Sequence, residues 1–289
     1  MIKTIIKRLI RAVNPPPITY CNTKIVNQSE ILKGRCTLIT GGTSGIGYSI
    51  AEYFLKAGSS VIITGRNKAK IDDVVEKLNS YRKASNKVFG VVLDCTKPST
   101  FEMTLNNVMS LIHEQGIAAI DILVNNAGVN ASRMPNATEE DYDLVMDTNL
   151  KGPFFLSQII GKYMVKNEIK GNILNIASSS SLRPADSAYT LSKWGLRGLT
   201  LGLAKSLAPS GITVNGIAPG PTTTPMMLRD GNTNMYLERI PLGRYITPEE
   251  IASMAVVLVS DTGRSIMGDI VYMTGGAGIL TYDDVRYNF

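Results

Sequence analysis

The chain has 289 residues and a formal net charge of +6, and its 44% hydrophobic and 19% charged residues are typical of a globular protein with a substantial core. Three scattered cysteines and a single histidine argue against a disulfide framework and a metal centre. We therefore expect no metal, and we expect a reducing, cytoplasmic location. No apolar run approaches the ~20 residues needed to cross a bilayer, which argues against an integral membrane protein.

The positive charge is concentrated near the N-terminus. Residues 1–35 contain seven basic residues against Glu30 alone, whereas acids and bases balance in the rest of the chain. A nucleic-acid-binding protein needs a basic patch on its folded body. We therefore expect no nucleic acid as a partner.

Residues 1–33 form an N-terminal extension. From Ile2 to Val13, apolar residues recur at helical spacing among basic ones, which predicts a basic amphipathic helix over 1–17. A run of prolines that begins at Pro15 ends this helix and opens a Pro-rich linker. Three interpretations stay open. The helix packs on the protein itself or on a neighbouring subunit, it makes a peripheral contact with a membrane surface, or it is a cleavable transit peptide.

Residues 34–289 alternate between strands and helices, which predicts a single α/β domain. The predicted strands read CTLIT, VIIT, VFGVVLD, IDILVNNAG, GNILNIAS, ITVNGIA and DIVYM, with a helix between each strand and the next. These strands are almost wholly apolar, as expected where helices cover both faces of a parallel sheet. Right-handed crossovers then give a doubly wound sheet.

A cluster of glycines separates the first strand from the first helix of this domain. Gly41, Gly45 and Gly47 would let the backbone approach a pyrophosphate closely, and the helix N-terminus would supply N–H groups and a positive dipole end. The alternative is a tight strand–helix junction without a ligand. We refer to residues 41–47 as the glycine turn.

The end of the second strand bears on the choice of cofactor. An acid at this place would bind the ribose hydroxyls of NAD, but the sequence is TGRN, with Gly65 and Arg66. A guanidinium can grip a 2′-phosphate with paired hydrogen bonds. NADP(H) is therefore predicted in preference to NAD(H), the alternative being that Arg66 is a solvated turn residue.

Tyr189 and Lys193 are four residues apart on a predicted helix and so share one face. A neighbouring ammonium would lower the pKa of the tyrosine from its usual ~10 and make it an acid or base for a carbonyl/alcohol pair. Ser178, at the end of the preceding strand, would hydrogen-bond the substrate oxygen. Such Tyr/Lys pairs also occur on surface helices without any catalytic role.

Several motifs together resemble the short-chain dehydrogenase/reductase (SDR) family over residues 34–276. They are TGGTSGIG at 40–47, Asp94 after the third strand, NNAG at 125–128, Asn149 in DTNLKGPF, Ser178, YTLSK at 189–193 and PGPTTTPM at 219–226. The resemblance implies one Rossmann-type domain with a seven-stranded parallel sheet. It also implies an NAD(P)-dependent enzyme acting on CH–OH groups.

The resemblance further implies the roles of individual residues. The catalytic set would be Asn149, Ser178, Tyr189 and Lys193, with Asn149 holding a water in a proton relay from Lys193. Asp94 would contact the adenine. The cofactor would be bound by Gly41, Thr43, Ser44, Gly45, Ile46, Gly47, Arg66, Asp94, Cys95, Asn125, Ala127, Gly128, Tyr189, Lys193, Pro219, Gly220, Thr222 and Thr224.

The resemblance implies a small-molecule substrate with a carbonyl or alcohol group. Ser178 precedes Tyr189 by about two residues fewer than is usual in the family, and Arg183 and Asp186 occupy this shortened loop near the expected cleft mouth. An apolar lid is predicted over residues 225–244. Reduction of a 3-oxoacyl thioester, reduction of a keto-sugar, and a non-catalytic nucleotide-binding scaffold remain alternatives, and the family resemblance implies a homodimer or homotetramer.

Overall fold

The computed structural model describes residues 30–224 and 234–280. The helix predicted at 1–17, the first part of the predicted lid (225–233) and the tail after residue 280 lie outside the described residues. Within the described part, no helix is both long enough and apolar enough to cross a bilayer.

A parallel sheet of seven strands lies at the centre of the described structure. The strands are β1 (Cys36–Ile39), β2 (Ser60–Gly65), β3 (Val88–Val92), β4 (Ile122–Asn125), β5 (Asn172–Ile176), β6 (Thr213–Pro219) and β7 (Ile270–Met273). Their spatial order is β3-β2-β1-β4-β5-β6-β7, so the chain winds outward in one direction from β1 and then in the other from β4. The predicted doubly wound, seven-stranded α/β fold is confirmed.

Helices cover both faces of this sheet. They are α1 (Gly45–Lys56), α2 (Lys68–Asn79), α3 (Phe101–Glu114), α4 (Glu139–Met146), α5 (Gly152–Lys166), α6 (Ala188–Leu207) and α7 (Pro248–Val259). Short 3₁₀ turns lie at Pro98–Thr100, Ser179–Leu182, Ala208–Ser210 and Asp261–Gly263.

The sheet divides the core into two layers because successive side chains of a strand point to opposite faces. Ile39 packs with α1, α2 and α7, whereas the preceding Leu38 packs with α3, α5 and α6. Leu32 is fully buried in the first layer, and its N–H donates to the carbonyl of Ala57 at 2.9 Å. The packed body therefore begins before the boundary predicted at residue 34.

The sequence predicts one long helix over residues 139–166, but the structure has two helices joined by a π-turn at Asp147–Lys151. The N–H of Gly152 donates to the carbonyl of Asp147, five residues back. Pro153 has no N–H, so it cannot donate the next bond of an α-helical ladder. Turns of this kind are frequent at functional sites, and this one carries Asn149.

Candidate active site

A cleft of about 590 Å³ opens at the carboxyl edge of the sheet. Its walls come from the segments that follow the strands on both sides of the β1/β4 boundary, where the winding direction reverses. Ligands of open α/β sheets bind at this place, because the loops after neighbouring strands separate there and leave a crevice.

The glycine turn forms one wall of the cleft. Gly41 and Gly45 have φ values of 66° and 56°, a conformation that favours glycine. Ser44, the N-cap of α1, has an extended backbone and makes no side-chain capping bond. The first N–H groups of α1 therefore have no side-chain cap and can serve a phosphate group.

The glycine turn is also packed tightly against the NNAG segment. A Cβ on Gly41 would lie 2.9 Å from the Cα of Ala127, and a Cβ on Gly47 would lie 2.3 Å from the Nδ2 of Asn126. That Nδ2 atom donates to the carbonyls of Thr40 and Gly41, both at 3.0 Å. Gly47 thus shapes the wall through close packing and does not itself line the cleft.

Asn125, which was expected to line the cleft, does not line it; Asn126 does. The amide of Asn125 donates to Asn175 Oδ1 at 2.8 Å and to Ser157 Oγ at 2.9 Å, within the core. The two asparagines are adjacent at the end of β4, so one faces the core layer and the other the cleft. Asn125 connects β4 to β5 and α5 instead.

Two cations line the cleft beyond the end of β2. Arg66 has the position predicted for it, and Lys70, in the first turn of α2, lies at the same end. No carboxylate from β2 is present there. Across this end, Asp94 accepts hydrogen bonds from Thr96, and although its burial opposes ionisation, these bonds and the charges of Lys97 and Arg66 hold its pKa below the usual range.

Ser178, Tyr189 and Lys193 lie together in the other half of the cleft. Ser187 caps α6 by accepting from the N–H of Thr190, so Tyr189 falls in the first turn and Lys193 one turn later. Ser178 and Tyr189 are joined by a side-chain hydrogen bond. The ammonium of Lys193 lies 5.7 Å from the centre of the Tyr189 ring and donates to the carbonyl of Ile176 at 2.8 Å.

The geometry favours Ser178 over its serine neighbours. Ser181 is fully buried and donates to the carbonyl of Ser178 at 2.8 Å, while Ser178 Oγ accepts from the N–H of Ser180 at 3.1 Å. These bonds hold the start of the 3₁₀ turn so that the Ser178 hydroxyl meets Tyr189. The shortened loop therefore preserves the expected Ser/Tyr contact.

The expectation that Lys193 would lower the pKa of Tyr189 is wrong for this cleft. Burial raises the pKa of Tyr189 above its ordinary value of 10, and the hydrogen bond with Ser178 only partly offsets it. Burial also lowers the pKa of Lys193 to about 8, which weakens its charge near neutral pH. Tyr189 is therefore protonated at neutral pH and can donate a proton to an oxygen in the cleft.

Asn149 lies behind the cleft wall and does not line it. Its side chain accepts from the N–H of Val129 at 2.8 Å and donates to the carbonyl of Val129 at 2.9 Å. A Cβ on Gly128 would lie 3.5 Å from Asn149 Oδ1 and 3.7 Å from Lys193 Nζ, so both side chains approach Gly128. Asn149 is thus close to Lys193.

Most of the other residues predicted to bind the cofactor line the cleft, and their role stays a prediction. The cleft is lined by Thr43, Ser44, Gly45, Ile46, Cys95, Ala127, Gly128, Pro219, Gly220, Thr222 and Thr224, as well as by Gly41. At the far end, Gly220 permits close packing, since a Cβ there would lie 2.8 Å from the Cα of Thr274.

Several lining residues were missed from the sequence, notably Lys70, Asn126, Arg133 and Arg239. Lys70 could have been found, because it lies in the first turn of the predicted helix that follows Arg66. Arg133 forms an exposed ion pair of 3.6 Å with Asp186 of the shortened loop. That contact joins two separate loops and leaves no local signal in the sequence.

The fold and the contents of the cleft define an oxidoreductase of the dinucleotide-binding type. A family model described as enoyl-(acyl carrier protein) reductase matches residues 41–278. The chain belongs to the short-chain dehydrogenase/reductase family, whose members use NAD(P) and act on alcohol and carbonyl groups.

Known proteins similar to this chain include enzymes with different substrates. It is 35% identical over 250 residues to a 3-oxoacyl-acyl-carrier-protein reductase of Aquifex aeolicus, covering 85% of this chain and 98% of that one. It is 32% identical over 252 residues to a 3α-hydroxysteroid dehydrogenase of Mediterraneibacter gnavus, covering 86% and 98%. The crystal structure of a short-chain type dehydrogenase/reductase from Mycobacterium marinum matches with a TM-score of 0.76 at 28% identity, covering 86% and 97%.

Proposed function

We propose that the protein is an NADP(H)-dependent oxidoreductase that interconverts a ketone and a secondary alcohol, with Asn149, Ser178, Tyr189 and Lys193 as its catalytic set. One observation carries this proposal. Tyr189, with Ser178 beside it, and the buried ammonium of Lys193 lie in the same cleft as the glycine turn, which supports a dinucleotide whose pyrophosphate would bind at that turn and whose nicotinamide would reach the tyrosine.

The proposed chemistry follows from the state of these side chains. A bound nicotinamide supplies the hydride for the carbonyl carbon in the reductive direction. Tyr189, kept protonated by burial, donates its proton to the developing alkoxide, while Ser178 hydrogen-bonds that oxygen and orients it. Lys193, with a pKa of about 8, can pass a proton towards the tyrosine, and Asn149 supports a water beside it.

Replacing Tyr189 tests the catalytic assignment. Tyr189→Phe removes the proton donor but keeps the ring, so we expect kcat for ketone reduction to fall by roughly 10²–10⁴-fold while NADPH binding is unchanged. Tyr142→Phe, at an exposed tyrosine on α4, is the matched control. Unchanged turnover in Tyr189→Phe would sink the assignment.

The preference for NADP(H) rests on two cations and on the lack of an acid after β2. Arg66 and Lys70 line the cleft there, within reach of a phosphate on the adenosine ribose. We expect the double variant Arg66→Ala/Lys70→Ala to raise the Km for NADPH by roughly tenfold or more and to leave the Km for NADH unchanged. Lys68→Ala, at an exposed neighbour on α2, is the control and should leave the KM values for NADPH and NADH unchanged. If the double variant raised the two KM values equally, the assignment would be wrong.

A 3-oxoacyl thioester is the substrate that similarity to the Aquifex enzyme supports, and a keto-sugar is a second candidate within the same chemistry. Purified protein should be assayed with NADPH and NADH against 3-oxoacyl thioesters, hydroxysteroid-derived ketones and keto-sugars. The ketone with the highest kcat/KM identifies the substrate class. Binding of NADPH without turnover of any ketone would favour the scaffold alternative.

We further propose a homodimer formed through α5 and α6. Phe154 and Phe155 are exposed on α5 and meet edge to face at 5.2 Å, and a groove of about 430 Å³ beside them is lined by Val165, Leu199 and Leu203 among others. Adjacent exposed aromatic and aliphatic side chains of this kind mark interaction surfaces. A tetramer would need a second interface.

The N-terminal extension, residues 1–33, is proposed to contact a membrane surface through its predicted helix. Its predicted helix lies outside the described residues, so the membrane-surface contact and the cytoplasmic location stay predictions. Sedimentation with anionic liposomes, comparing the full chain with a form lacking residues 1–17, tests the contact. Equal pelleting of the two forms would contradict it.

A further inference from the structure

Three arginines line the half of the cleft that holds Ser178 and Tyr189. Arg133 follows β4, Arg183 follows β5, and Arg239 lies between β6 and α7. All three side chains are exposed. Cations from three separate segments, which follow β4, β5 and β6, thus line this cleft.

The strand order separates these arginines from the charges assigned to the cofactor. Arg66 and Lys70 lie after β2, on one side of β1, whereas the three arginines follow strands on the other side, from β4 outward. The N-terminus of α1, which suits a pyrophosphate, lies between the two groups. The phosphate charges of a dinucleotide are therefore assigned to groups other than the three arginines.

Among the described residues, carboxylates near this end of the cleft are few and exposed. Asp186 pairs with Arg133 at 3.6 Å, and both side chains are more than half exposed, so the pair is weak. Among the described residues that line the cleft, Asp94 is the one carboxylate, and it follows β3 at the opposite end. Glu238 is next to Arg239 in the chain but does not line the cleft.

Arg183 has a well-defined position relative to the catalytic residues. Its N–H donates to the carbonyl of Ser180 at 3.1 Å, and its carbonyl accepts from the indole of Trp194 at 2.8 Å. Ser178 is the N-cap of the 3₁₀ turn Ser179–Leu182 and Arg183 is its C-cap, so one short turn connects the two residues. The guanidinium of Arg183 therefore extends from a backbone position close to Ser178.

We propose that the substrate carries an anionic group, a carboxylate or a phosphate, which Arg183 and Arg239 bind at the mouth of the cleft. This inference rests on the proposed ketone/alcohol chemistry and adds to it the charge of the substrate. Guanidinium groups match both anions with paired hydrogen bonds, and charge-assisted bonds are about twice as strong as neutral ones. Arg133 can join them by leaving its exposed pair with Asp186.

The test compares anionic ketones with neutral counterparts, using NADPH. One arm pairs acetoacetyl-CoA with acetoacetyl-N-acetylcysteamine, which lacks the phosphates, and the other pairs 4-oxopentanoate with its methyl ester. We expect kcat/KM to favour the anionic member at least tenfold in one arm, which identifies the anion. Arg183→Ala and Arg239→Ala should each reduce that preference about fivefold or more, because each should lower kcat/KM for the anionic ketone much more than for the neutral one.

Matched variants separate charge at this place from charge in general. Arg82→Ala removes an exposed arginine that does not line the cleft and should have no effect, while Arg183→Lys should retain part of the preference. The inference would be overturned if kcat/KM were equal for the anionic and the neutral ketone in both arms. It would also be overturned if the arginine variants lowered kcat/KM equally for the two ketones. Either result would leave the oxidoreductase function standing.

A binding readout covers the case in which no ketone is turned over and the proposed function itself fails. Trp194 is the chain's only tryptophan and contacts Arg183 directly, so its fluorescence reports on this end of the cleft. Titration of the NADP⁺-loaded protein with CoA and with 4-oxopentanoate should give a saturable change that Arg183→Ala abolishes. No saturable change in the millimolar range would overturn the inference.

Discussion

At the scale of single residues, Lys193 is in an unusual position for a lysine. Only 4% of it is exposed, and its ammonium donates to a backbone carbonyl. Burial disfavours the charged form and lowers its pKa from 10.5 to about 8. Between these pH values the unfolded chain holds a proton that the folded protein has lost, so the contribution of Lys193 to the free energy of unfolding rises with pH.

This linkage gives a prediction for the cofactor-free protein. From pH 7.5 to 10, the free energy of unfolding of the wild type should rise relative to that of Lys193→Met, by up to roughly 3 kcal/mol. Urea unfolding at several pH values measures the difference, and groups other than Lys193 cancel because both proteins contain them. Lys205→Met, at an exposed lysine of the same helix, should follow the wild type. A constant difference between wild type and Lys193→Met would contradict the prediction.

Single residues also mark where the sequence alone was insufficient. The order of the motifs was enough to place Tyr189, Lys193 and Ser178 in one cleft. It was not enough to distinguish Asn125 from Asn126, because the side-chain directions of two adjacent residues depend on the register of β4. The pKa of Tyr189 was predicted in the wrong direction, because the degree of burial is a property of the folded chain.

At the scale of elements, the contact between the glycine turn and α1 depends on the absence of a side chain at Gly47. A methyl group there would lie 2.3 Å from Asn126 Nδ2 and 2.4 Å from the carbonyl oxygen of Gly41. Gly47→Ala should therefore push α1 away from the turn. We expect the free energy of unfolding to fall by about 2 kcal/mol and NADPH to bind roughly tenfold more weakly.

Gly198→Ala is the matched control for this prediction. Gly198 lies inside α6, and a Cβ there would meet nothing within 4 Å. Since alanine favours a helix interior over glycine, the variant should be more stable by about 0.5–1 kcal/mol. Urea unfolding and NADPH titration of both variants test the pair, and a stable Gly47→Ala protein with unchanged affinity would refute the packing argument.

The elements themselves were largely predictable. The sequence alternates apolar strands with amphipathic helices, and this pattern allows few arrangements other than a parallel sheet covered by helices on both faces. The break between α4 and α5 was missed, since the apolar spacing continues through residues 147–151. Only the lack of an N–H at Pro153 hinted at the π-turn.

At the scale of the whole molecule, the exposed face of α5 and α6 predicts self-association. Phe154→Glu places a charge in the centre of this face, so we expect light scattering at micromolar concentration to report about half the mass of the wild type. Met103→Glu, at an exposed apolar residue of α3, should leave the mass unchanged. A wild-type protein that is already monomeric would contradict the proposed dimer.

The π-turn couples the site to this outer face. Asn149 lies within the turn, and Phe154 follows it by five residues on α5. Each residue of an α-helix advances the side-chain direction by ~100°. Deleting one residue of the turn after Asn149 would therefore rotate Phe154 away from the groove while Asn149 still faced Val129. The same number of residues therefore sets two directions at once, that of the Asn149 amide towards Lys193 and that of the Phe154 ring towards the outer face, so a length change in this turn should disturb the candidate site and the proposed interface together.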